Sequence, residues 1–290
     1  MGLVMHVVVC IKQVPDSAQI RVHPVTNTIM RQGVPTIINP FDLFSLEEAL
    51  RLKDQLGAKV TVLTMGPKMA DQALRKALTF GADEAILLTD RAFAGSDTLA
   101  TSLAISSAIA KIGETQPIDI VFCGKQTIDG DTAQVGPGIA TRLGLQQLTY
   151  VAKIVSIDQK AREIVVHRRA EGGVQVLKTS LPCLITMMED TNHIRFGTMA
   201  DAFRAARSPI TEWTAVDAGV PDISKCGLRG SPTVVKKVFA PTARTAKAIA
   251  ISGDTPEALA NSVLDTVFAA HPSLREDLQS SINNSQGASS

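Results

Sequence analysis

The chain has 290 residues, 45% hydrophobic and 20% charged, enough for one large domain, or one domain with an appendage, around a substantial core. Lys and Arg number 29 against 28 Asp and Glu, a net charge of +1. That balance leaves no basic footprint for nucleic acid or for an anionic membrane surface. The four cysteines, Cys10, Cys123, Cys183 and Cys226, lie too far apart for a CxxC ligand set. An iron–sulfur cluster, a zinc ribbon and a disulfide framework are therefore not expected, and buried thiols are the better reading. The longest apolar run near the start, Val7-Val8-Val9-Cys10-Ile11, is too short for a signal peptide or a membrane span. The expected compartment is the cytoplasm, without membrane insertion.

Residues 5–12 read as a buried strand, a short β-branched run without a helical stripe. Residues 20–22 and 28–31 flank Pro24-Val25-Thr26-Asn27, the pattern of a hairpin. Asn39-Pro40-Phe41-Asp42 opens a helix: Asn39 is the expected acceptor for its free amides, Pro40 suits the first position, and Asp42 suits the positive end. Leu43, Leu46 and Leu50 give that helix one apolar face, and Gly57 ends it. A strand over 59–65, a helix over 69–80, a strand over 84–88, a helix over 97–112 capped by Asp97, and a strand over 118–123 follow. Strands alternating with helices, without hairpin-length links, predict right-handed crossovers and a parallel sheet covered on both faces, a three-layer, doubly wound α/β fold.

After Tyr150 the rhythm changes. Short strands at 151–157, 164–167, 174–177 and 184–188 predict a meander or an antiparallel extension of the sheet. Residues 208–241 hold four prolines and few helical stripes, and read as an extended arm. That arm either wraps a partner or straps the domain's own surface. A helix is expected over 255–270, and the Ser/Asn/Gln-rich stretch 279–290 is expected to lack order. The division of the chain is thus 1–207 for a nucleotide-binding domain and 208–290 for the arm, a helix and a tail.

Parallel sheets bind ligands beyond the carboxyl ends of their strands. Three loops leave that edge with informative residues. One follows Cys10 and carries Lys12. A second contains Thr64, Met65 and Gly66. The third runs Gly124, Lys125, Gln126, Thr127, Ile128, Asp129, Gly130, Asp131, Thr132, Ala133, Gln134, Val135, Gly136, Pro137. It matches neither the Walker A pattern nor the dinucleotide fingerprint. Its glycines still let backbone amides approach an anion, and it runs into a helix N-terminus. That helix starts either at the capping-box-like Asp131-Thr132-Ala133-Gln134 or at Pro137. Asp97 opens another helix at the same edge, with Thr98 and Thr101 on one face, either as phosphate or flavin ligands or as a plain cap with solvated hydroxyls. The five histidines are scattered and form no nucleophile–base pair. A carrier whose chemistry belongs to its cofactor needs none.

Two segments resemble a known family. One is the loop from Gly124 to Pro137. The other is Val166-His167-Arg168-Arg169-Ala170-Glu171-Gly172-Gly173-Val174-Gln175-Val176-Leu177, continuing through Pro182-Cys183-Leu184-Ile185-Thr186. Together they are similar to the beta subunit of electron transfer flavoproteins, over nearly all of residues 5–240. The resemblance implies an adenine nucleotide alpha-hydrolase-like fold and a heterodimer with an alpha subunit that carries the electron-transferring FAD. In conventional members the beta subunit holds AMP, whose contacts would fall on Cys10, on Asn39, Pro40, Phe41 and Asp42, on Met65, and on the stretch from Gly124 to Val135.

A subgroup replaces AMP with a second, bifurcating FAD and takes electrons from NADH. The chain resembles that subgroup in Gly130-Asp131-Thr132-Ala133-Gln134-Val135-Gly136-Pro137, and in Arg91-Ala92-Phe93 followed by Asp97-Thr98-Leu99-Ala100-Thr101. The likeness assigns Asp97, Thr98 and Thr101 to the extra flavin, and implies an acyl-CoA dehydrogenase-like partner. The segment from Met187 to Phe196 lacks the leucines of well-known members, and the basic cluster that usually follows is thinned to Arg204 and Arg207. A conventional AMP-holding subunit, an ATP-binding α/β protein of the stress-protein or PP-loop type, and a purely structural subunit are the competing readings.

Overall fold

The structure, a computed structural model, describes residues 4–16, 35–236 and 248–287. The chain divides into two compact units, 1–240 and 241–290. The hairpin expected over 20–31 lies outside the described residues.

The first unit begins with strand β1 (His6–Cys10), a short antiparallel pair β2 (Gln13–Pro15) and β3 (Thr36–Ile38), and helix α1 (Pro40–Leu56). It continues through β4 (Lys59–Met65), α2 (Asp71–Phe80), β5 (Glu84–Leu88), α3 (Thr98–Thr115), β6 (Ile120–Gly124) and α4 (Val135–Leu143). Then come β7 (Gln146–Asp158), β8 (Glu163–Ala170), β9 (Gly173–Ser180), β10 (Cys183–Met187), α5 (Met199–Arg207) and β11 (Thr211–Trp213). The sheet order is β11-β5-β4-β1-β6-β10-β7-β8-β9. Pairing is parallel from β11 to β7, and β8 and β9 complete an antiparallel edge. The expected three-layer fold with an antiparallel extension is thereby observed.

Alternation along the strands builds two cores. Val7 and Val9 face one side with Leu46, Leu50, Leu74 and Leu78 of α1 and α2. Val8 and Cys10 face the other with Ala104, Ala108, Ile139 and Ala140 of α3 and α4. Strands buried on both faces favour continuous apolar runs, as Val7–Val9 of β1 supply, while in β4 the buried Thr61 and Thr64 are satisfied by hydrogen bonds.

Two local expectations are corrected, and one left open is resolved. Asn39 precedes α1 without capping it through its side chain, which is occupied elsewhere. Helix α4 starts at Val135 with Gln134 as its cap residue, between the two expected starts. Pro137 then falls in the first turn, where its missing N–H has no intrahelical partner to lose. Residues 208–236 strap this unit's own surface, with β11 extending the sheet beside β5.

The second unit contains a helical pair, α6 (Pro256–Ala270), whose first turn is capped by the Thr255 hydroxyl accepting from the Ala258 amide at 3.1 Å, and α7 (Pro272–Gly287). Where no order is expected past residue 279, α7 runs on to Gly287.

Candidate functional site

The chain reverses direction across the sheet between β1 and β6, since β1 pairs with β4 on one side and β6 on the other. That reversal opens a crevice at the carboxyl ends, the general ligand position of open α/β sheets. Cys10 and Gly124 end the two strands that flank it.

Asp42, buried in α1, holds the crevice together. One carboxylate oxygen accepts from the Lys12 amide at 2.8 Å and the other from the Gly124 amide at 3.1 Å. Burial pushes its carboxyl up to about 7, against the pull of Asn39, of those two amides and of the Lys12 charge. Gly124 is required by this packing: a Cβ there would lie 2.7 Å from the Phe41 Cβ and press on the Asp42 carboxylate. The Lys12 ammonium reaches over the loop to both oxygens of Asp129, at 2.9 and 2.8 Å. Burial alone would raise the Asp129 carboxyl, but the Lys12 hydrogen bond and charge hold it below its usual range.

Asn39 is the clamp of the loop. Its amide nitrogen donates to the Gln126 carbonyl at 2.9 Å, and its oxygen accepts from the Ile128 amide at 3.1 Å. Beyond it, the Asp131 amide turns back onto the Thr127 carbonyl at 2.8 Å, and the Gln126 side chain donates to the Asp131 carboxylate. Asp131 and Ala133 sit at φ 56° and 55°, a left-handed conformation that costs a non-glycine residue on the order of 1 kcal/mol or more. Such strain gathers at ligand clamps. Thr132 and Gln134 stand exposed beside these two residues.

The Thr98 hydroxyl donates to the Gln134 side-chain oxygen at 2.9 Å, which brings the first turn of α3 to the end of this loop. Helix α3 lies close against α4, where Gly138 leaves room for Ser102: a Cβ would come within 2.9 Å of the Ser102 Cβ. Asp97 is fully engaged. One oxygen caps α3 through the amides of Leu99 and Ala100, and the other accepts from the Thr233 amide and hydroxyl at 3.1 and 2.8 Å. Its own amide donates to Ser231 at 2.8 Å. Thr101 is half-buried in the same turn. The Thr64 hydroxyl is turned inward, donating to the Ile11 carbonyl at 2.7 Å, so it fixes the exit of β1. Met65 and Gly66 open instead on a cleft of about 790 Å³ that also takes in Asp90, Arg91, Phe93 and Trp213.

Sequence reasoning missed the Trp213 wall, the grip of Ser231 and Thr233 on Asp97, and the setting of Lys125. That ammonium lies 5.4 Å from the Phe41 ring centre and 5.7 Å from that of Tyr150, a residue at φ 58°. No local pattern signals an aromatic in that conformation. Among the described residues no group of three or more metal-ligating side chains occurs, and no helix is long and apolar enough to cross a membrane.

The donor set suits a nucleotide: a glycine pressed on its neighbours, exposed hydroxyl and amide side chains, and two helix N-termini. Residues 26–218 match the family model described as the electron transfer flavoprotein domain. The chain is 69% identical over 282 residues to Protein FixA of Sinorhizobium fredii, covering 95% of this chain and 98% of that one. It is 64% identical to Protein FixA of Azotobacter vinelandii over 276 residues, 94% of this chain and 98% of that one. With the electron transfer flavoprotein subunit beta of Clostridium acetobutylicum the identity is 52% over 234 residues, 80% of this chain and 87% of that one. The family match over most of the chain and the identities over nearly its full length show that the chain belongs to the electron transfer flavoproteins, as a beta subunit.

Proposed function

We propose that this chain is the cytoplasmic beta half of a heterodimer whose alpha subunit carries the electron-transferring FAD, and that its own crevice takes a second FAD rather than AMP. The observation that carries the reading is the hydrogen bond from Thr98 to Gln134. It joins the start of α3 to the loop, so the polar rim extends beyond what one phosphate and one ribose require. Lys12, Gln126, Thr132, Gln134 and the amides around Asp131 and Ala133 would hold phosphates. Met65, Gly66 and the cleft beside them offer an apolar wall to a ring. Bound FAD supplies the redox chemistry; the chain's own residues grip it, orient it and exclude water.

The complex would take electrons from NADH and divide them between a low-potential acceptor and, through the alpha subunit's FAD, an acyl-CoA dehydrogenase-like partner. Support for a docking partner comes from Phe196, 90% exposed, followed by exposed Met199 and Phe203 one helical turn apart on α5. In this reading residues 1–207 carry the nucleotide, Trp213, Ser231 and Thr233 of the following strap complete the rim, and the rest of 208–290 serves assembly.

Flavin and adenine quantification on the co-purified heterodimer is the test. Two FAD per heterodimer, bleached by NADH, is the expected result. One FAD with one AMP, and no response to NADH, returns the chain to the AMP-holding kind.

A further inference from the structure

Two of the four cysteines stand together beneath the candidate nucleotide site. β1 and β6 run parallel with Val8 opposite Val121 and Val9 opposite Phe122. One more step along that register puts Cys10 beside Cys123. Both side chains belong to the apolar cluster under α3 and α4, so they point the same way. Both are free thiols, 8% and 6% exposed. Neighbouring strands lie about 4.8 Å apart, inside the range of about 4.4–6.8 Å between Cα atoms that a disulfide spans. Gly136 in the first turn of α4 packs directly over Cys123, where an added Cβ would sit 3.6 Å from the Cys123 Cβ and 2.9 Å from Thr186. Cys183, on β10, faces the opposite core, and Cys226 follows a short turn far along the chain.

We propose that Cys10 and Cys123 form a dithiol that a small, uncharged peroxide oxidises to a disulfide directly under the nucleotide loop. Hydrogen peroxide converts the Cys10 thiol to a sulfenic acid, with breakage of the O–O bond and release of one water. The Cys123 sulfur then attacks the Cys10 sulfur, the S–S bond forms, and the second water leaves with the Cys123 proton. Two thiols and one peroxide thus give one disulfide and two waters. A hydrogen bond with Cys10, then burial, push the Cys123 thiol up, so the two sulfurs are in hydrogen-bond contact, as coupling of a sulfenic acid to the second sulfur requires. The bond would tie the carboxyl ends of β1 and β6 one residue before Ile11 and before Gly124. The oxidation stands on the thiol geometry; only its effect on bound nucleotide rests on the functional reading above.

The co-purified complex is titrated with hydrogen peroxide, denatured, alkylated and digested with trypsin without reductant. Expected is a linked pair of peptides ending at Lys12 and Lys125, with alkylation falling from four cysteines to two, Cys183 and Cys226, and full reversal by dithiothreitol. Met69, 53% exposed, is the internal gauge. Disulfide formation before Met69 becomes sulfoxide supports the site; all four thiols still alkylated once Met69 is converted overturns it. Cys123→Ala should trap the Cys10 sulfenic acid with dimedone, and an unlabelled Cys10 in that variant also overturns the proposal. If the disulfide forms while nucleotide content stays constant, the dithiol stands, and the placement of the nucleotide over β1 and β6 is what fails.

Discussion

Gly124 shows how one missing methyl group shapes the site. Gly124→Ala would drive a Cβ into Phe41 and the Asp42 carboxylate, and overpacking of this kind costs about 1–3 kcal/mol. The expected outcome is a folded but less stable protein that co-purifies with substoichiometric nucleotide, read by adenine quantification beside a thermal melt. Asp42 makes a pH-dependent prediction. Its folded carboxyl is raised from 3.8 to about 7, so the folded state holds a proton that the unfolded chain releases. The stability this group contributes is fully present below the lower value and is lost as pH rises to about 7. Asp42→Asn removes that dependence, while its amide group must face a backbone N–H in place of an acceptor, at about 1–3 kcal/mol. Wild type should therefore exceed the variant most below pH 3.8, with the gap narrowing by up to about 1.4 kcal/mol per pH unit from there toward pH 7. A gap that widens with pH in urea titrations would contradict the burial argument.

At the scale of elements, the loop from Gly124 to Val135 is held from outside itself. Asn39→Ala removes two hydrogen bonds, each worth about 1 kcal/mol. Faster proteolysis within residues 125–131 and faster loss of nucleotide on dilution are expected, with α1 unchanged in circular dichroism because Asn39 does not cap it. Asp97→Ala, by contrast, loses an N-cap worth about 0.5–2 kcal/mol and releases Thr233. Nucleotide lost from that variant alone would not identify a contact; the same loss from Thr101→Ala, with the thermal midpoint retained, would. The sequence made the alternation of strands and helices legible because apolar period and glycine ends are local signals. Lys59–Met65 and Glu84–Leu88 match to the residue. It also placed Cys10, Lys12 and Gly124 at one sheet edge, while the family resemblance added Asn39. What it could not carry were contacts between distant segments. Asn39 looks like a cap in its own neighbourhood and becomes a clamp only when residues 126–128 fold over it. Ser231, Thr233 and Trp213 lie far along the chain from the loops they meet.

For the molecule as a whole, the antiparallel edge is the surface that asks for a partner. Val174 and Val176 on β9 are 63% and 65% exposed, along a strand with one unpaired side. Lysine at both positions should leave the melt of this chain within about 0.5 kcal/mol and reduce the heterodimer recovered on size exclusion after co-expression with an alpha subunit. The first unit should also stand without the second. Among the described residues its two cores draw on none beyond Cys226, so a chain ending at Ala240 is expected to keep the near-ultraviolet signal of Trp213. The central position of β1 has a consequence for biosynthesis. Its link to the start of β6, seen in the His6 amide donating to Asp119 at 2.8 Å, spans 113 residues. On the ribosome β1 can pair early with β4, but its other edge stays bare until β6 has emerged. During that interval the run Val7-Val8-Val9 is an open template for other chains. The yield of protein should therefore respond to the pace of translation between β4 and β6 more than to any change in the finished crevice.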